Sequence, residues 1–176
     1  MVCRAGAAPP VRRPRGDPPM ARRLRPVELD FTASAPLRLV FATELAAPPG
    51  AVYAALAEEL ADLSSWFTGV SRAAHTRGGA GREVWLTGGT RFAETILAAE
   101  PAARYAYRVD TTNAPGVRAL LEDWRLTPAG GGTRLRWLFA ADGPAPFRLL
   151  LTLARPGLGR AFRQSARALD RRLARS

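Results

Sequence analysis

Large apolar residues recur along most of this chain with a period of two, and in two places the spacing shifts to that of a helix. The first run, LRLVFATEL at 37–45, is rich in strand formers and predicts a strand. Pro48, Pro49 and Gly50 end it, and a Pro in a first helical turn loses no hydrogen bond. Val52, Tyr53, Leu56 and Leu60 then recur at helical spacing, predicting a short helix over 50–60. Asp62 or Ser64 is placed to cap a second, one-turn helix carrying Trp66 and Phe67. Beyond residue 70 the two-residue period returns. It predicts strands near 70–77, 82–88, 91–99, 103–112, 118–127 and 133–141, divided by the turns RGGAG, TGG, EPAA, NAPG and PAGGG. Such short connections imply antiparallel pairing of successive strands.

In TRLRWLFA, Leu135, Trp137 and Phe139 share one face while Arg134 and Arg136 take the other, the pattern of a sheet wet on one side. The dry face needs a cover, and the chain end supplies one. From Ala145 onward Leu158, Phe162, Leu169 and Leu173 build one apolar stripe, with Arg160, Arg163, Arg167 and Arg171 largely off it. Pro156 and Gly157 are expected to kink or break this helix about a third of the way along. A basic amphipathic helix can also lie on a membrane, but packing the stripe into the sheet satisfies both surfaces at once.

Composition adds mostly exclusions. At 176 residues and 47% apolar the chain suits one globular domain. Its net charge of +11 is uneven: residues 1–25 carry +6, residues 148–176 carry +7, and the stretch between carries −2. All 26 basic residues are Arg, which with abundant Ala, Gly and Pro matches GC-rich coding. The lack of Lys excludes Schiff-base chemistry and the Lys of a phosphate-binding loop. A single Cys, Cys3, excludes a disulfide framework, and a single His, His75, excludes multi-histidine metal sites. His75 sits by the TRGGAG turn and reads as a surface residue. There is no GxSxG elbow and no nucleophilic triad. Residues 1–25, rich in Arg and Pro and poor in large apolar side chains, are expected to form a disordered tail, with Met20 an alternative start. No apolar run approaches the ~20 residues of a membrane span, and a cytoplasmic location is expected.

Strand alternation places Arg82, Val84 and Leu86 on one face, and likewise Phe92, Glu94 and Ile96, then Tyr105, Tyr107 and Val109, then Glu122, Trp124 and Leu126. In each run a polar member shares a side with bulky apolar ones, and a lone buried charge is costly. Arg82, Glu94, Glu122 and the Tyr107 hydroxyl are therefore expected to meet inside. They read either as a compensated buried cluster or as groups of a site. Trp66, Trp124 and Trp137 could stack on a flat ligand or simply fill the core.

The order of one strand, two short helices, six strands and a long C-terminal helix carries a resemblance, together with AAPPGAVYAALAEELADLSSWF, GREVWLTGGTRFAETILAAEPAARYAYRV and WRLTPAGGGTRLRWLF. It resembles the START-like (SRPBCC) superfamily of polyketide cyclase/dehydrase and lipid-transfer type, over residues 37–174. The resemblance implies an α+β helix-grip fold: a seven-stranded antiparallel sheet wraps the long C-terminal helix, and the two short helices close one end of a cavity. It implies a small hydrophobic ligand, lipid-, polyketide- or aromatic-like, held by Trp66, Phe67, Phe92, Tyr105, Glu122, Trp124, Trp137 and Phe162. A cyclase- or dehydratase-like enzyme is the alternative, with Arg82 stabilising an enolate and Glu94 or Tyr107 moving protons. A third reading is contact of the Arg-rich ends with nucleic acid or an anionic membrane. No cofactor and no metal is called for. A polar set connected inside the cavity would favour chemistry, and a dry apolar tunnel would favour carriage.

Overall fold

The computed structural model describes residues 21–175. Strand β1 (Arg22–Arg23) and a single helical turn, α1 (Phe31–Ser34), precede the first long strand, β2 (Leu37–Leu45). Helix α2 (Pro49–Ala57) and a 3₁₀ segment at Leu60–Ser65 follow. Six strands come next: β3 (Val70–Thr76), β4 (Gly81–Leu86), β5 (Arg91–Glu100), β6 (Arg104–Thr112), β7 (Ala119–Ala129) and β8 (Gly132–Asp142). Helix α3 (Ala145–Leu173) closes the chain.

The long strands form one antiparallel sheet in the order β2-β8-β7-β6-β5-β4-β3, and β1 pairs with part of β6. Along the seven long strands all neighbours but one are consecutive in sequence, as the short turns require. The exception among them is β2, which crosses over to join β8, pairing from Leu37 opposite Ala141 to Leu45 opposite Thr133. Register irregularities between Ala93 and Glu94 and between Ile96 and Ala98 break the β5–β6 ladder, and irregularities of this kind bend strands and raise twist. The concave face thus meets α3.

Helix α3 is seated by specific contacts. Phe162 and Leu169 are buried with the sheet's aromatic residues. Gly159 lets the helix approach closely, since a Cβ there would lie 3.1 Å from the Phe41 ring. Near the C-terminal end, the Asp170 carboxylate accepts hydrogen bonds from the backbone N–H groups of Ala46 (3.0 Å) and Ala47 (3.1 Å). Arg172 pairs with Glu59 and Asp62, each at 2.8 Å.

Four expectations need correction. Helix α3 runs unbroken through Pro156. Residues 152–157 are exposed, so water can satisfy the Thr152 carbonyl that the proline leaves without a donor. The 3₁₀ segment starts after Glu59 with no side-chain cap from Asp62 or Ser64; Asp62 instead serves the ion pair with Arg172. The disordered tail expected over 1–25 does not hold for its last residues: Arg22 and Arg23 pair with β6, and Leu24 is buried. The rest of that expectation, over residues 1–20, and Cys3 with it, lies outside the described residues. Finally, the convex face is not simply wet. Val27, Phe31 and Ala35 cover Ala119, Leu121 and Ala140 there, forming a second small core with Leu97 at its edge.

Candidate functional site

A cavity of about 230 Å³ lies between the concave face of the sheet and α3. Apolar side chains dominate its walls, including Leu56, Leu63, Val84, Leu86, Phe139 and Leu158. These arrive by two periodicities: strand residues two apart, and α3 residues Leu158, Ala161 and Phe162 on one helix face. The segment Phe67–Val70, after the 3₁₀ turn, closes one side, held where the Thr68 N–H donates to Ser165 Oγ on α3 at 2.9 Å.

Apart from Thr68 on that closing segment, the polar side chains in this lining, Arg82, Glu94, Tyr107 and Glu122, form one cluster. Arg82 on β4 and Glu94 on β5 stand directly opposite each other in the register, and Arg82 Nε donates to Glu94 Oε2. Both are almost fully buried, at 5% and 2% exposure. The guanidinium lies over the Tyr107 ring, 3.6 Å from its centroid. Tyr107, on β6, donates its hydroxyl proton to Glu122 Oε2 at 2.7 Å and accepts from Trp124 Nε1 at 2.9 Å. Trp137 Nε1 also donates to Glu122 Oε2, at 2.9 Å. Glu122 is enclosed by protein yet keeps some accessible surface, because it faces the cavity. Trp124 and Trp137 stack on each other, with centroids 5.1 Å apart and planes 9° from parallel, and both indole N–H groups donate into the cluster.

The electrostatics follow from one cation facing two carboxyls. Burial pushes the Glu94 carboxyl up to about 7; the Arg82 guanidinium pulls the other way and Glu122 adds to the rise. Burial raises Glu122 as well, opposed by the hydrogen bond from Tyr107 and by Arg82. Tyr107 is driven well above the ordinary phenol range by burial and stays protonated. Both carboxyls therefore take up a proton more readily than free carboxyls do.

The sign of the pH effect is fixed by that direction. A carboxyl with a raised folded-state pKa stabilises most below its unfolded value of about 4.5, and the contribution is lost as pH rises through about 7. Wild type should lose stability to denaturant between pH 5 and pH 8, and Glu94→Gln should lose less over the same range. Equal slopes for the two proteins would show that Glu94 ionises as it does in the unfolded chain.

Of the residues singled out in the sequence, Arg82, Glu94, Tyr107, Phe67, Phe92, Glu122, Trp124, Trp137 and Phe162 line the cavity. Trp66 and Tyr105 do not. Trp66 packs beside Phe67, and Tyr105 is buried edge-on to Tyr53, both within the core cluster. His75 is exposed on β3, its Nε2 3.4 Å from the Glu58 carbonyl, away from the cavity lining. Sequence reasoning missed Leu56, Leu63, Phe139, Leu158 and Ala161 as lining residues. The helical stripes held a signal for Leu56 and Leu158, but such stripes do not distinguish a cavity wall from filled core.

Residues 36–174 match the family described as polyketide cyclase / dehydrase and lipid transport. The chain belongs to this family. An uncharacterised protein of Mycobacterium tuberculosis is 32% identical over 150 residues, covering 82% of this chain and 89% of that one. Among solved structures, a START superfamily protein from Mycobacterium smegmatis is similar with a TM-score of 0.61 at 12% identity, covering 78% of this chain and 97% of its own. TTHA0849 from Thermus thermophilus is similar with a TM-score of 0.62 at 20% identity, covering 78% and 97%. At these identities the structural likeness speaks for the helix-grip fold alone. Among the described residues no helix is long and apolar enough to cross a membrane.

Proposed function

We propose that the cavity holds a compact apolar molecule bearing one polar group, with that group directed at the Arg82–Glu94–Tyr107–Glu122 cluster. The observation that carries this reading is the lining itself: apolar and aromatic walls around a single polar cluster, the usual make-up of a small-molecule site. The size narrows the class. About 230 Å³ lies below the ~300–1,000 Å³ typical of pockets for drug-sized ligands. It suits a one- or two-ring molecule of aromatic or polyketide type better than a long acyl chain. The indoles of Trp124 and Trp137, both in the lining, offer aromatic contact to such a ring.

One observation supports acid–base chemistry on the bound molecule as a second reading. Burial pushes the Glu94 carboxyl up to about 7, the range in which a general acid or base works best, and the cluster is connected from Arg82 to Glu122. Against it, Arg82 and Glu94 are already paired with each other. Tyr107, committed to two hydrogen bonds, suits orientation of a ligand better than transfer of a proton.

Quenching of tryptophan fluorescence tests the binding reading, since Trp124 and Trp137 form one wall. Naphthols and hydroxylated aromatic ketones should quench saturably in the wild type and not in Ala161→Trp, which fills the cavity from α3. Equal quenching in both proteins would place binding elsewhere. Turnover of any binder, abolished in Glu94→Gln while binding persists, would move the second reading to first.

A further inference from the structure

We propose that the N-terminal half of α3 docks this protein on a phospholipid bilayer containing anionic lipid. The inference goes beyond the cavity reading and does not depend on it. Leu149, Leu150 and Leu153 are 60%, 65% and 70% exposed, and with Val40 they are the large apolar side chains most open to solvent among the described residues. Three leucines within one helical turn form a patch, unlike the scattered exposed apolar residues of an ordinary surface.

The charge around the patch selects the partner. Between Ala145 and Leu169 the helix carries five Arg and no Asp or Glu. Outside this stretch several arginines are matched with carboxylates, among them Arg91 with Glu83, Arg104 with Asp123, Arg134 with Glu44 and Arg172 with Glu59. Arg155, Arg160 and Arg163 have no carboxylate partner among the described residues, and they line an open groove between α3 and the free edge of β2 beside Val40 and Phe41. At about 3.6 residues per turn, Leu149, Leu153, Arg160 and Arg167 fall along one outward stripe of the helix. The leucines can enter between headgroups while the arginines of the groove and stripe meet lipid phosphates.

Other partners suit this face less well. Nucleic acid would use the arginines but gain nothing from three leucines. A second copy of the chain would bring two basic faces together with no acid to oppose them. Leu158, Ala161 and Phe162 of the same helix line the cavity, so a bilayer bound here would lie against the helix that walls the site.

Co-sedimentation of the full chain tests this with vesicles of pure phosphatidylcholine and of phosphatidylcholine with about one-third phosphatidylglycerol. The expected result is salt-sensitive binding to the mixed vesicles alone. It should fall about tenfold or more in Leu149→Ser/Leu150→Ser/Leu153→Ser and also weaken in Arg155→Gln/Arg160→Gln/Arg163→Gln, with circular dichroism unchanged because all six side chains lie outside the core. Undiminished binding by the leucine variant would overturn the proposal and assign lipid affinity to other basic segments. So would a wild-type dimer that ignores vesicles and becomes monomeric in the leucine variant, which would assign the patch to self-association. Aromatic-ligand quenching, measured on the same variants, keeps this outcome separate from the fate of the cavity reading.

Discussion

Arg82→Met is expected to cost about 3–5 kcal/mol of stability at pH 8 and markedly less at pH 5. Arg82 is the cation that faces Glu94 and Glu122 inside the protein, and its loss leaves two carboxyls in the same enclosed space. At pH 8 both must ionise without a counter-charge or take up protons at a cost set by solution pH. At pH 5 protonation is easy, and the penalty shrinks toward that of lost packing over Tyr107. Urea unfolding at the two pH values reads the difference. The double variant Arg82→Met/Glu94→Gln should recover part of the loss at pH 8, because one of the two stranded charges is gone. A loss independent of pH and unrelieved by the second substitution would mean that the carboxyls reach water and that the cluster is not a coupled unit.

Trp124→Ala is the second large effect, at roughly 3–5 kcal/mol. The side chain is 2% exposed, stacks on Trp137 and stands edge-on to Phe67, with centroids 5.9 Å apart. Its Nε1–H donates to the Tyr107 hydroxyl. Removing it opens a void continuous with the cavity and leaves the Tyr107 oxygen one donor short. Trp124→Phe keeps most of the packing and should cost less, which separates volume from the hydrogen bond. Thermal or urea unfolding measures both, and a cost below about 1 kcal/mol for the alanine variant would show that the aromatic wall is not part of the core.

The concave face was legible in the sequence because a strand's two-residue period is strict. Arg82, Glu94, Tyr107 and Glu122 share their faces with Val84, Phe92, Val109 and Trp124, and the apolar neighbours fix the phase of the polar ones. Two register irregularities in β5–β6 could have shifted that phase, but they leave Phe92, Glu94, Tyr107 and Val109 facing inward. The convex face was harder to read. Its cover, Val27, Phe31 and Ala35, lies in a segment beside Arg- and Pro-rich sequence with few apolar residues of its own. The better signal sat on the strands, where Ala119, Leu121 and Ala140 are apolar at positions an uncovered sheet would give to polar residues. Trp66 and Tyr105 show the remaining limit. A large aromatic residue on the inner face can line the cavity or stand behind its wall, and that choice depends on how far α3 and the 3₁₀ turn reach, which no local pattern encodes. Of the kink or break expected at Pro156, the break is absent for a similar reason: the energetic penalty depends on whether the affected turn is buried, and here it is exposed.

The most direct test of the ligand-binding account is native mass spectrometry of the full chain after gentle purification, followed by extraction and identification of whatever remains bound. The account predicts a compact ring-containing passenger in one-to-one ratio, present in wild type and lost in Ala161→Trp. A protein that carries nothing, and that neither binds nor is stabilised by aromatic, polyketide or lipid panels, would contradict it.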